Sequence, residues 1–128
     1  MAEQSKDELL RIKISRGDTF NRIFNIIDLS GDVIDLTGWI ARFTVKENIT
    51  DSQEDAKIIK SSEDADEIDI FDPSNGRLRV YINHEDTQDL DPKTYYYDLQ
   101  LEDPDDHIHT THKSTFSVFA DITTPPAI

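Results

Sequence analysis

Residues 39–47, WIARFTVKE, put Trp39, Ala41, Phe43 and Val45 on one face of an extended chain and Ile40, Arg42, Thr44 and Lys46 on the other. Side chains alternate across a strand with a period of two, so this run suits a strand with one buried and one wet face. The alternation recurs. Ile12 and Ile14 share a face within residues 9–15. In residues 19–28, Phe20, Phe24 and Ile26 share one face, with Ile23 and Ile27 opposite. A short strand is expected near residues 56–60, and Leu78, Val80 and Ile82 alternate with Arg77, Arg79 and Tyr81. Residues 94–102 point Tyr95, Tyr97, Leu99 and Leu101 inward, and residues 114–122 do so with Phe116, Val118, Ala120 and Ile122.

Turn chemistry separates these runs. All four glycines fall between strands, where glycine supplies positive φ without steric cost. Arg16-Gly17-Asp18 spells an adhesion tripeptide, but its place between two alternating runs makes it a strand-joining turn. Asp72-Pro73-Ser74-Asn75-Gly76 combines a preset φ at proline with a positive-φ pair. HEDTQDL, residues 84–90, reads as a single helical turn. Asp91-Pro92-Lys93-Thr94-Tyr95 has the spacing of a tyrosine corner, in which a Tyr hydroxyl bonds back to the main chain just upstream. Short strands with turns every roughly 8–12 residues, and no amphipathic helix, predict an all-β, single-domain, immunoglobulin-like antiparallel β-sandwich.

A chain of 128 residues is long enough for one such core. The sandwich is expected over 10–123, between an N-terminal arm (1–9) and a C-terminal tail (124–128). The chain carries 27 acidic against 13 basic residues, net −14, which repels phosphate backbones and anionic membranes and argues against both as partners. Between Glu47 and Asp72 ten acids face two bases, so 48–71 is read as an acidic loop or extra hairpin. No apolar run approaches a membrane span, and the acidic start lacks the basic and apolar regions of a secretory signal. Without cysteine there is no disulfide, thiolate metal site or thiol nucleophile.

Catalytic motifs do not emerge: there is no G-x-S-x-G, P-loop or H-E-x-x-H, so neither an enzyme nor a cofactor is expected. His107 and His109 would share a face of a strand as a metal-binding pair can, yet they read as solvated loop histidines. DPDDH and the acids from Asp64 to Asp72 lack the spacing of a calcium loop, and no metal is assigned. Large apolar residues on outward positions mark an interface instead: Ile23 and Ile27, then Tyr96 and Phe119. Pro125 and Pro126 end the last strand and turn the tail away as a docking arm.

In order, "RGDTF", "DLSGDVIDLTGWIARFTVKE", "NGRLRVYINHEDTQDL" and "YYYDLQLEDPDDHIHTTHKSTFSVFADIT" resemble the amino-terminal domain of siphophage baseplate upper proteins and related small tail or neck proteins. The matching positions are Gly17-Asp18-Thr19, Asp35-Leu36-Thr37-Gly38, Asp86-Thr87, Thr94-Tyr95 through Leu99, and Phe116 through Thr123. Lys93 departs from the glycine usual before the Tyr strand. The resemblance spans residues 12–123 and implies a β-sandwich that anchors or connects other proteins in a tailed-phage virion. It further implies a non-enzymatic component of tail, baseplate or neck, made in the bacterial cytoplasm. Its partners would be other virion structural proteins and, in a homo-oligomer or ring, further copies of itself. The alternative is a carbohydrate- or cell-surface-binding sandwich, calcium-dependent or not, with Trp39 or the tyrosines as a stacking platform. Trp39 alternates with Ala41, Phe43 and Val45, which assigns it to the core.

Overall fold

The alternating runs become strands wherever one face can be buried. The computed structural model describes residues 10–120. In chain order these residues form β1 (Ile12–Ser15), β2 (Phe20–Asn25), β3 (Ile40–Lys46), β4 (Ile58–Ser61), β5 (Ile68–Asp72), β6 (Arg77–Ile82), the helical turn α1 (His84–Thr87), β7 (Lys93–Glu102) and β8 (Ile108–Phe119). A curled five-stranded sheet has the order β1-β8-β7-β3-β4, and a three-stranded sheet has the order β2-β6-β5. The acidic stretch supplies one strand to each: β4 pairs with β3, and β5 with β6.

The two sheets face each other across one core. Phe24 of β2 lies 6.4 Å, ring to ring, from both Phe43 of β3 and Tyr97 of β7, and Phe43 lies 5.2 Å from Tyr97. Ala41, Phe43, Val45, Leu78, Val80, Ile82, Tyr95, Tyr97, Leu99, Leu101, Phe116 and Val118 are buried as their alternation requires. Trp39 is half-buried against this core. Burying an apolar side chain of this size contributes about 1.5–3 kcal/mol, so the inward rows dominate the stability of the fold.

The protein is thus mostly β with two facing sheets, but it is not wholly antiparallel. β1 runs parallel to β8, with Ile12 opposite Phe116 and Ser15 opposite Phe119. Only antiparallel neighbours can be joined by a tight hairpin. β1 and β8 lie at opposite ends of the chain, so no hairpin dictates their direction. β8 also begins earlier than its alternation suggests. A bulge interrupts the rhythm: Leu99 faces His112 while Gln100 faces Thr110, leaving Thr111 unpaired. At its far end β8 stops at Phe119, and Ala120 is exposed rather than inward. Ile122, the arm 1–9 and the tail 124–128 lie outside the described residues.

The connecting turns are tied to one another. Tyr95 donates its hydroxyl hydrogen to the Asp91 carbonyl at 2.8 Å, which is the tyrosine corner. Tyr97 donates its own to the Leu10 carbonyl, fastening the entry to β1. Gly17 adopts φ +83° in the β1–β2 turn, and its N–H donates to Thr87 Oγ1 of α1 at 2.9 Å. Next to Thr87, Asp86 Oδ2 accepts the Asn83 N–H at 2.7 Å and meets Lys60 Nζ of β4 at 2.8 Å. Lys60 faces inward opposite Phe43 and is only 5% exposed. One helical turn therefore locks the Arg16-Gly17-Asp18 turn to the β4 edge. The tripeptide is a structural corner.

Candidate protein-interaction surface

The outward rows of β3, β7 and β8 form the floor of a groove. Cross-strand register sets Lys46 beside Tyr96, Thr44 beside Asp98 and Arg42 beside Gln100, with Thr115 and Lys113 following on β8. The segment after β3 builds the far wall, from which Ile49 and Gln53 face the groove. Gln53 Nε2 donates to Thr44 Oγ1 at 3.1 Å, tying wall to floor and nearly burying Thr44. The open groove has a volume of about 490 Å³.

The charges in this groove differ from those of the chain as a whole. Arg42 is held by Glu102 at 3.2 Å and Glu63 at 3.9 Å. Among the described residues neither Lys46 nor Lys113 has a carboxylate at ion-pair distance. Asp98 lies between them. Burial pushes its carboxyl above the usual range, and the Lys46 and Lys113 charges pull it partly back. A surface of net −14 here presents cations around an aromatic ring.

Ile59, opposite Thr44 on the same outer face, is also exposed, and further apolar exposures lie away from the groove. β2 is followed by a short hairpin closed by the bridge between Ile27 and Val33. Asp28 Oδ1 accepts the Ser30 and Asp32 N–H groups at 2.8 and 3.1 Å, which holds the tip, and Leu29 between them is fully exposed. On the outer face of the three-stranded sheet, Phe71 lies between the Arg77 and Arg79 guanidinium groups, each 5.1 Å from its ring centre.

Tyr96, 38% exposed, is thus in the groove, and Ile27, 55% exposed, is in the hairpin. Phe119 is 51% exposed where β8 ends, on the same outward row as Thr115, and its carbonyl accepts the Arg16 N–H. Ile23 is half-buried opposite Arg79, on the three-stranded sheet. Pro125 and Pro126 lie outside the described residues. Tyr96 and Phe119 therefore share the outer face of the five-stranded sheet, while Ile23 and Ile27 belong to β2 and the hairpin that follows it, so the four described positions do not form one patch. Leu29, Val33, Ile49 and Phe71 are exposed apolar residues that the alternation did not single out. Leu29 carried a readable signal, being a large apolar residue set between turn-forming Asp28 and Ser30-Gly31-Asp32.

The histidine cluster gathers on one carboxylate. His109 Nε2 and His107 Nδ1 lie 3.0 and 3.5 Å from the same oxygen, Asp103 Oδ2. The His109 bond, then the His107 N–H, holds the Asp103 carboxyl below its usual range. The His109 ring also covers Trp39, centres 5.6 Å apart. Among the described residues no three His, Asp or Glu groups are placed to hold a metal ion.

No family model matches the chain, and neither does any curated protein. Among solved structures, the N-terminal domain of phage TP901-1 ORF48 matches with a TM-score of 0.51, over 86% of this chain and 83% of that one. The chain folds like a phage protein's amino-terminal domain. At 14% identity the likeness is one of fold. It agrees with the ordered turn motifs, four of which lie within the described residues: Gly17-Asp18-Thr19, Asp35 to Gly38, Asp86-Thr87 and the Tyr95 strand.

Proposed function

We propose that this chain is a non-enzymatic structural protein of a tailed-phage virion, a component of tail, baseplate or neck that connects other virion proteins. The observation that carries the reading is the fold likeness to a phage protein domain over 86% of the chain. The ordered motifs of the sequence support it from a separate direction. So does the surface, where rigid apolar projections and a walled groove suit contacts with folded protein. An immunoglobulin-like relationship belongs to the same reading and is supported by the tyrosine corner at Tyr95.

The carbohydrate-binding alternative has less support. Its best platform residue, Trp39, is half-buried against the core and covered on one side by His109.

Antibody labelling of purified phage particles, viewed by electron microscopy, tests the proposal. Label confined to the tail tip, collar or tail shaft is expected and would name the substructure. Particles that carry neither label nor the protein's peptides by mass spectrometry would sink it.

A further inference from the structure

Two features of this surface are complementary in charge and apolar character, and they lie on different sheets. The first is the hairpin after β2. The Ile34 N–H donates to the Ile26 carbonyl at 3.1 Å, the Asp28 N–H to the Asp32 carbonyl at 2.8 Å, and the Gly31 N–H to the Asp28 carbonyl at 3.0 Å. Together with the Asp28 side-chain bonds, these give the tip one shape before it touches anything. It presents Leu29 between Asp28 and Asp32, with the exposed Ile27–Val33 pair at its base. The second feature is the groove on the outer face of the five-stranded sheet, with Lys46 and Lys113 around Tyr96 and Ile49 in its wall.

We propose that the Leu29 hairpin of one copy docks in the outer-sheet groove of a second copy. The inference rests on reading the chain as an assembling structural protein, and it names the partner. Two surfaces of net −14 repel each other over most of their area. Contact is favoured where unpaired lysines meet carboxylates, and that is where the apolar tip and the apolar wall also meet. Asp98 on the groove floor opposes an acidic guest, and the flanking lysines offset it. The groove, at about 490 Å³, is of the size that encloses compact ligands and is large enough for the side chain of Leu29 with a neighbour. Hairpin and groove are different patches, so the contact is heterologous. Each pair leaves one groove and one hairpin unused, and growth continues until a ring closes or a filament extends.

Sedimentation velocity on the whole chain, over a range of concentration and salt, tests this. Oligomers that grow with concentration and dissociate in salt are expected. Leu29→Asp and Lys113→Glu alter exposed side chains, so each is expected to keep the wild-type melting temperature while weakening association by roughly tenfold or more. Mixed together, they should form a heterodimer and nothing larger, because the first retains the groove and the second the hairpin. The proposal is overturned by a monomer at every concentration, by oligomers that ignore both substitutions, or by a mixture that stays monomeric. A monomer would leave the virion reading standing, since particle labelling tests that separately.

Discussion

Thr87 Oγ1 accepts the Gly17 N–H at 2.9 Å, joining two turns that are 70 positions apart in sequence. Thr87 is fully buried, so water cannot replace its hydroxyl. Thr87→Val keeps the shape and leaves the Gly17 N–H without its partner, a loss of about 1–3 kcal/mol. Thr87→Ser keeps the bond and should lose only about 1 kcal/mol for the methyl group. Urea unfolding of both variants separates the two effects. Equal losses would mean that the bond contributes nothing.

Gly76 and Gly31 both adopt positive φ, +67° and +88°, but their surroundings differ. A Cβ on Gly76 would lie 2.6 Å from the Ile26 carbonyl oxygen and 2.7 Å from that of Ile34, whereas one on Gly31 would meet nothing within 4 Å. Gly31→Ala should cost about 1 kcal/mol, the penalty of the left-handed conformation alone. Gly76→Ala should cost more than about 3 kcal/mol, since main chain must move. Denaturant midpoints of the two variants decide it.

The Lys60–Asp86 pair is asymmetric. Asp86→Ala strands a buried ammonium and removes the acceptor for the Asn83 N–H, and should cost about 3–5 kcal/mol. Lys60→Met replaces the charge with an apolar chain of similar length, and Asp86, nearer to solvent, keeps its bond from Asn83. That change should fall within about 1 kcal/mol of neutral. If Lys60→Met proved the worse of the two, the direction of this asymmetry would be wrong.

Burial pushes the Tyr97 phenol from its ordinary 10.0 up to about 12. The folded state therefore holds the proton more tightly than the unfolded chain. Its contribution is complete below pH 10 and is lost as pH rises towards 12, at no more than about 1.4 kcal/mol per pH unit. Tyr95 is shifted the same way by burial. Tyr97→Phe should flatten, without abolishing, the alkaline loss of stability measured by urea titration across that window.

Asp98 works in the opposite direction to a paired carboxylate. Its folded pKa lies above the ordinary 3.8, so its contribution is complete below that value and declines as the group ionises. Asp98→Asn should therefore raise the unfolding free energy at neutral pH, read as a higher urea midpoint, by less than about 1 kcal/mol given its partial exposure. A lowered midpoint would show that the charge is compensated by its lysine neighbours.

Local rules were legible in the sequence because they depend on near neighbours. The inward rows of β3, β6 and β7 follow from period two, and the tyrosine corner from the spacing of Asp91 and Tyr95. The parallel course of β1 beside β8 was not legible, since nothing near Ile12 says which strand it will meet. The groove escaped for a related reason. Its lining comes from polar positions such as Lys46, Gln100 and Lys113, which alternation marks only as outward. Sheet order and curvature make them neighbours. Thr111 hid the early start of β8, because one extra residue at a bulge reverses the alternation that would have revealed it.

The parallel pairing of β1 and β8 also has a mechanical meaning. The chain enters β1 beside Phe116 and leaves β8 beside Ser15, so the two strands lie side by side, pointing the same way. Tension entering through Leu10 and leaving through Ala120 would pull them past each other along their length. All four paired positions would bear that force together, in shear, instead of peeling apart one after another.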